Sequence, residues 1–438
     1  MRIILIFCKF LSFILRKIGR GSTYPGHLAY KLSKRITHYF KLPSLVIAVT
    51  GSAGKGSTTK IIAETLEKNG KKVIYNITGS NMLPGIISLF IEKCDMKGRL
   101  NCDALVLEVD ERYSKDVFEM VNPDYVIVTN VSRDQPPRHG DFDIVLDKIK
   151  GALNSNMHLI LNGDDPYIQK LDLDDSFKKT YYGIERNNLS YKDNVFNSLN
   201  MSYCPKCHSK LKYNYYNFDM LGDYYCEKCD FKRPVIDYCA KEINLDDKYM
   251  IVNGNNIKIA FNIIYYAYNI LAAYTVCSLI GIDEKKITEN ISSMKNNKKI
   301  NERYKYNGRN VYVLNNKNEN NLTFNESVLF AYNKKTPRLV VIGWKEISRR
   351  YEHNDMSWLY DIEFELLNDE YTTKVICAGR DRYDIATRMK YAGFSKDKIM
   401  ICTDLSEAKD VLKKSEADIF AILNFDYIEP FNKVMRER

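Results

Sequence analysis

Residues 46–60 read Val46-Ile-Ala-Val-Thr-Gly51-Ser52-Ala-Gly54-Lys55-Gly56-Ser57-Thr58-Thr-Lys60. An apolar run, Leu45–Val49, breaks into a glycine-rich turn. Lys55, Ser57 and Thr58 then open an amphipathic segment carrying Ile61, Ile62 and Leu66. The order is strand, phosphate loop, helix. Gly51, Gly54 and Gly56, with Ser52 between them, let backbone N–H groups close around phosphate oxygens, and the positive end of a helix dipole faces the same place. Lys55 supplies a point charge for the β- and γ-phosphates, and a hydroxyl at Ser57 or Thr58 can hold Mg²⁺. A plain glycine turn beside an exposed lysine would explain the Gly-x-x-Gly alone, but not the lysine, hydroxyls and helix arriving in order. Because Lys55 is aimed at ligand phosphates, Lys55→Ala is expected to abolish ATP turnover and leave the core intact.

Outward from this loop, residues 45–195 alternate between strands and helices. Expected strands are Leu45–Val49, Lys72–Tyr75, Ala104–Glu108, Tyr125–Thr129 and His158–Leu161, with helical patterns between them, as in a doubly wound parallel sheet. Residues 196–240 interrupt the alternation with dense Tyr, Lys and Cys. Ile263–Ile280 and Glu284–Met294 read as helices, and the Asn/Lys-rich stretch 314–326 reads as a loop. A second alternating block, with strands at Asn310–Leu314, Arg338–Ile342, Lys374–Cys377, Met400–Cys402 and Ile419–Leu423, implies a smaller α/β unit.

The chain has 438 residues, enough for two or three domains, with 45% hydrophobic and 27% charged residues, ordinary for a globular protein. Its net charge of +10 suits an anionic partner without choosing one. Eleven cysteines, an odd number in a large chain, fit a reducing compartment better than a disulfide scaffold. Four of them form Cys204-Pro-Lys-Cys207 and Cys226-Glu-Lys-Cys229, eighteen residues apart. Two such knuckles present four thiolates, a tetrahedral set for Zn²⁺ with no open position, so the expected metal is structural. The other seven cysteines lie mostly in apolar runs and read as core residues.

Arg2–Leu15 is apolar, interrupted by Lys9 and followed by Arg16, Lys17 and Arg20. It falls short of the about 20 apolar residues that span a bilayer, and no small-residue cleavage site follows it. It can pack on the first domain or lie at a membrane interface with its basic flank at the headgroups. Packing is the commoner fate of a short apolar run and is the expectation here.

The segment Gly51-Ser-Ala-Gly54-Lys55-Gly56-Ser57-Thr58 resembles the loop of Mur ligases and folylpolyglutamate synthases. A wider ordered set of motifs resembles the MurT-type subunit of lipid II isoglutaminyl synthase. The set comprises Leu15-Arg-Lys-Ile-Gly-Arg-Gly, Thr78-Gly-Ser-Asn81-Met-Leu-Pro84-Gly85, Glu108-Val-Asp-Glu111 and Arg133-Asp134-Gln135. It continues with the cysteine segment through Phe231-Lys-Arg-Pro234, then Asp355-Met-Ser-Trp358-Leu-Tyr-Asp361, Ala378-Gly-Arg380-Asp381-Arg-Tyr-Asp384 and Arg388-Met-Lys390-Tyr-Ala-Gly393. The resemblance implies a Mur-ligase-like central ATP-binding domain over 41–299, with a Cys₄ zinc ribbon inserted at about 200–236. It also implies a Rossmann-like C-terminal domain over 300–438, behind an N-terminal helical segment, 1–40.

The activity implied is ATP-dependent activation of the D-glutamate α-carboxylate of the lipid II stem peptide as an acyl phosphate. Ammonia from a partner glutaminase, a class I amidotransferase of the GatD type, would convert it to D-isoglutamine. The cofactors implied are ATP, Mg²⁺ and Zn²⁺, and the setting is cytoplasmic, at the inner face of the plasma membrane, with no nucleic acid. By the same resemblance Glu108 is the Mg²⁺ glutamate, Asn269 meets adenine, and Asp355 assists the chemistry; the loop motif itself puts the Ser57 hydroxyl on the same Mg²⁺. Read on their own residues, Glu108 ends a buried strand at the phosphate edge, where a salt bridge is the plain alternative, and Glu111 is its reserve. Asp355 reads alone as a helix cap before Ser357. The chain departs from the family pattern at Gly56, Tyr266, Arg303 and Lys317-Asn318-Glu319.

Three other readings stay open on sequence. Gly56 favours a folylpolyglutamate-synthase-like ligase. The basic ribbon and positive charge suit a zinc-ribbon nucleic-acid-binding NTPase, which would need a continuous basic patch with stacking aromatics. A scaffold that kept the fold without turnover is the third.

Overall fold

Strand β1 (Val46–Thr50) is buried at every position, as a strand with neighbours on both edges and cover on both faces must be. It belongs to a computed structural model that describes all residues except 18–21, 77–79, 133–141, 174, 197–202, 246, 261–262, 295–300, 317–320, 346–354 and 437–438. The chain forms two compact units, one of Met1–Val131, Phe142–Asn194 and Asn200–Lys295, the other built mainly of Asn296–Arg438.

After β1 the first unit continues with β2 (Val73–Tyr75), β3 (Ala104–Glu108), β4 (Tyr125–Val128), β5 (His158–Asn162) and β6 (Lys178–Ile184). Then come β7 (Lys212–Phe218), β8 (Leu221–Tyr225), β9 (Tyr238–Asn244), β10 (Tyr249–Val252) and β11 (Asn255–Lys258). Nine strands form one sheet in the order β11-β10-β9-β6-β5-β4-β1-β3-β2. The pairs from β2 across to β9 are parallel, whereas β10 and β11 pair antiparallel at the far edge. The sheet is therefore mixed where a parallel one was expected.

The helices of this unit are α1 (Arg2–Lys17), α2 (Tyr24–Leu32), α3 (Lys55–Lys68), α4 (Leu83–Lys93), α5 (Ser114–Val121), α6 (Phe142–Lys150), α7 (Ile264–Leu279) and α8 (Glu284–Ser292). Helix α7 is apolar around most of its circumference and almost wholly buried, the mark of a core helix. Strands β7 and β8 make a separate hairpin in the connection between β6 and β9, which are themselves neighbours in the sheet.

The second unit contains β12 (Asn301–Tyr306), β13 (Arg309–Asn316), β14 (Arg338–Trp344), β15 (Thr372–Gly379), β16 (Ile399–Cys402) and β17 (Asp418–Asn424), in the order β12-β13-β17-β14-β15-β16. Among the described residues of this unit, only β12 runs antiparallel to its neighbour. Alternate residues of β14 serve opposite faces, as a period of two requires. Val340 and Ile342 join one core with Trp344 and Trp358, while Leu339 and Val341 join another with Leu405 and Phe431. The helices are α9 (Asn321–Asn333), α10 (Arg382–Tyr391), α11 (Lys409–Lys414) and α12 (Ile428–Arg436). The stretch 314–326, expected as a loop, is strand to Asn316 and helix from Asn321. Asn316, Asn321 and Asn325 are buried rather than solvated, with Asn325 bonding Asp361 and Glu363.

Candidate active site

The loop between β1 and α3 is held from β4. Thr129 Oγ1 donates to the Ala53 carbonyl at 2.7 Å, and the Asn130 amide exchanges two bonds with Ala53, each 2.9 Å. The Ser52 N–H donates to the Asn130 carbonyl at 2.9 Å. These bonds fix the loop backbone before any ligand arrives, which is the preorganisation a phosphate site needs. Gly51 and Gly54 have φ of +122° and +83°, in the region that side chains disfavour. A Cβ on Gly54 would lie 2.1 Å from Asn269 Oδ1, so the α7 asparagine lies directly against the loop.

Lys55 opens α3 and is buried. Its Nζ donates to the carbonyls of Gly51 and Ser52 and to Glu111 Oε2 at 2.9 Å. Glu111, the reserve metal ligand of the sequence reading, is thus an ion-pair partner of the loop lysine. Glu108 ends β3. Its backbone is clamped by the Asn76 amide through two 2.8 Å bonds, and its Oε1 accepts from Asn81 Nδ2 at 3.0 Å. The plain alternative for Glu108, a strand-end salt bridge, is not seen among the described residues. Between them, Asp110 takes a two-pronged bond from Arg112. Burial pushes that carboxyl up, yet the bonds and charge of Arg112, helped by Lys55, leave it below its ordinary value.

A Cβ at Gly56 would lie 2.9 Å from Glu108 Oε2, so the absent side chain leaves space beside that carboxylate. A carboxylate, open space and a half-buried hydroxyl one residue on, Ser57, make an all-oxygen donor set that fits Mg²⁺. Thr58, by contrast, is fully buried, and its hydroxyl makes no hydrogen bond among the described residues.

The four cysteines of the two C-x-x-C pairs converge, with all four sulfurs within 4.8 Å of one another. Cys204 Sγ lies 3.5 Å from Cys229 Sγ, and Cys207 Sγ lies 3.4 Å from Cys226 Sγ. The Lys206 and Lys228 N–H groups each point at the first sulfur of their knuckle, 3.4 Å away. Hydrogen bonds from Ser209 draw the Cys207 thiol down to about 6. Four convergent soft donors with no open position fit a structural Zn²⁺. Leu211, Tyr224 and Phe231 form a small core beneath them.

In the second unit, Asp355 is half-buried and its Oδ1 accepts from the Ser357 N–H at 2.8 Å, at the start of a 3₁₀ turn, Ser357–Asp361. The segment beyond is tied down by Arg388, which donates to the carbonyls of Leu359 (3.0 Å) and Ile362 (2.6 Å) and to Glu365. Arg303 donates to Asn310 Oδ1 at 3.0 Å and lies over the Tyr312 ring. Arg133-Asp134-Gln135, Thr78, Gly79 and Lys317-Asn318-Glu319 lie outside the described residues.

Sequence reasoning assigned no role to Asn76, Asn81, Thr129 or Asn130. Asn81 stood inside a quoted motif; the others carried no local signal, because their partners are distant in the chain.

Residues 49–277 match the Mur ligase middle domain family, and residues 318–427 match the MurT ligase C-terminal family. The chain belongs to the Mur ligase family. More narrowly, it is similar to the lipid II isoglutaminyl synthase (glutamine-hydrolyzing) subunit MurT of Staphylococcus aureus (strain COL), 29% identical over 95% of this chain and 93% of that one. The subunit of the same name from Streptococcus pneumoniae (strain ATCC BAA-255 / R6) is 27% identical over 92% of this chain and 89% of that one. In fold it is similar to a pseudomurein peptide ligase type C from Methanothermus fervidus, with a TM-score of 0.69, 21% identity, and coverage of 92% of this chain and 80% of that chain.

Proposed function

We propose that this chain is the ATP-using subunit of a two-subunit enzyme that amidates lipid II. The observation that carries the reading is similarity to MurT subunits along nearly the whole chain, joined to a preorganised phosphate loop facing Glu108. In the proposed reaction the γ-phosphoryl group of ATP passes to an oxygen of the D-glutamate α-carboxylate, and ADP leaves. Ammonia then forms the C–N bond at the acyl carbon as the C–O bond to phosphate breaks and the surplus proton is released. The products are D-isoglutamine and phosphate.

The loop amides and the α3 N-terminus bind the phosphates, and Lys55 turns its charge from Glu111 toward them. Asn269 offers both a donor and an acceptor to the adenine edge. Glu108 and Ser57 would hold Mg²⁺, which when bound screens the repulsion between the two anionic reactants. The cysteine cluster would hold Zn²⁺ in a ribbon spanning about 200–236, which stabilises the fold and takes no part in the chemistry. In this reading 41–299 is the ATP-binding domain and 300–438 the C-terminal domain.

Asp355 assists amidation beside the Cys–His pair of a GatD-type glutaminase. The partner is needed because most free ammonia is protonated at neutral pH and a poor nucleophile, whereas a channelled supply is not. The enzyme acts at the cytoplasmic face of the membrane.

The test is reconstitution with the glutaminase, ATP, glutamine and lipid II, with mass spectrometry of the stem peptide. The complex should convert the carboxylate to a carboxamide. Asp355→Asn should keep complex formation and ATP binding and lose amidation. Amidation by this chain alone with glutamine, or full activity of Asp355→Asn, would overturn the assignment.

A further inference from the structure

Helix α1 has two apolar sides, and only one is used. Leu5, Cys8 and Ser12 are buried against the first unit. Lys9 Nζ anchors the helix on the Cys94 carbonyl at 2.6 Å, and Arg16 pairs with Glu92. On the opposite side Ile3, Ile6, Phe7, Phe10, Phe13 and Ile14 recur at spacings of three and four, so they form one stripe. That stripe is exposed: Ile3 by 83%, Phe10 by 64%, Phe13 by 60% and Phe7 by 52%. Large contiguous apolar surface on a folded chain marks an interaction site.

The charges choose the occupant. Arg2 and Lys17 stand at the two ends of the stripe, Lys17 Nζ lies 4.6 Å from the centre of the Phe13 ring, and α1 contains no acidic residue. A second copy docked face to face in antiparallel fashion would bring Arg2 against Lys17, like charge on like. An anionic lipid surface meets the same groups with opposite charge. At 16 residues the helix is too short to cross a bilayer, and no described helix is long and apolar enough to do so. A short helix with a deep apolar stripe and basic ends lies in the membrane plane.

We propose that the Ile3–Phe7–Phe10–Phe13–Ile14 face of α1 inserts into an anionic phospholipid surface, with Arg2 and Lys17 at the headgroups. The inference does not rest on the amidation reading, and it is tested without substrate.

The full chain is mixed with vesicles of phosphatidylglycerol and phosphatidylcholine, or of phosphatidylcholine alone, and floated on a density gradient. Binding should be on the order of tenfold tighter to the anionic vesicles and weaken with salt. Phe7→Ser, Phe10→Ser and Phe13→Ser together should keep the melting temperature and lose at least about a hundredfold in binding. In a second measurement, the indole fluorescence introduced by Phe10→Trp should be quenched by brominated lipid. The native Trp344 and Trp358 are 1% exposed and give a constant background. No flotation of the native chain, equal flotation of the triple variant, no quenching in the Phe10→Trp variant, or a dimer that the triple variant abolishes would each overturn the proposal.

Discussion

Arg233 Nε lies 2.7 Å from Asp164 Oδ1, a buried carboxylate 69 positions earlier in the chain. Arg233 follows the cysteine cluster, and Asp164 follows β5. The other oxygen of Asp164 accepts from the Ile184 N–H at 2.8 Å and from the Tyr268 hydroxyl at 2.7 Å. Burial pushes the Asp164 carboxyl up, and Arg233 and these donors draw it back toward the charged form. Tyr268 is followed in α7 by Asn269, which lies on Gly54 of the phosphate loop. One carboxylate thus ties the segment after the β7–β8 hairpin to the helix that packs against the glycine loop.

Arg233→Met should therefore do more than loosen the insertion. It leaves Asp164 buried without its cation, a change that costs about 3–5 kcal/mol. The KM for ATP should rise as α7 loses its support, and Asp164→Asn in the same chain should recover part of the stability. Denaturant unfolding and ATP titration check both. Native stability and KM in Arg233→Met would exclude the coupling.

Metal analysis of the purified chain should find about one Zn²⁺ per chain. Cys204→Ser with Cys226→Ser should lose it and lower the melting temperature. Because Arg233 ties the insertion to the core, chelation should also weaken ATP binding. Zinc retained by the double variant would place the metal elsewhere.

Lys55→Ala should abolish ATP turnover, and the ion pair the lysine makes adds an expected loss of stability. Lys55 and Glu111 are a buried pair, with side chains 7% and 2% exposed. Removing the cation takes a buried ion-pair partner from Glu111, a change that costs up to about 3–5 kcal/mol. Adding Glu111→Gln should restore most of the stability and none of the turnover, a double-mutant cycle that separates the two roles of the lysine. Equal stability of Lys55→Ala and the native chain would contradict the pairing.

Asp165 gives the pH dependence. Burial raises its carboxyl to about 7, with Asp219 and Asp164 adding to the effect and the N–H groups of Tyr167 and Ile168 opposing it. Below about pH 4 the group is protonated in both folded and unfolded chains and costs nothing. Above that the unfolded chain ionises while the fold holds the proton, so stability falls as pH rises and levels off above about 7, by up to about 4 kcal/mol. Asp165→Asn should match the native chain near pH 4 and exceed it at pH 8, since an amide oxygen can still accept from Tyr167, now at 2.8 Å. Unfolding midpoints that stay parallel across this range would refute the assignment.

The strands legible in the sequence were those with continuous apolar runs. Ala104–Glu108 matches to the residue, and the others differ by a few positions at their ends. Missed strands include β6, KKTYYGI, and β9, YCAKEIN, whose lysines and tyrosines break the run, and β11, NNIK, an edge strand with little to bury. The phosphate loop was legible because its chemistry is local. Its supports were not: Asn130 meets Ala53 across 77 positions, and Asn76 meets Glu108 across 32. Such pairings follow from strand order, which no local pattern encodes. The N-terminal helix was half legible. Packing was expected and occurs, but on one face only.

Arg388 has a consequence for how the second unit opens and closes as a whole. Its guanidinium, 4% exposed, reaches two carbonyls and Glu365 from α10, more than twenty positions along the chain. The segment from Ser357 to Leu367 has only short 3₁₀ turns of its own and is held by partners elsewhere in the unit: Arg388 of α10, Asn325 of α9 and the core around Trp344. A lysine would keep the charge and lose the planar fork. Amide exchange across this segment should then rise and fall with exchange in α10, as though two stretches far apart in sequence were one unit of folding.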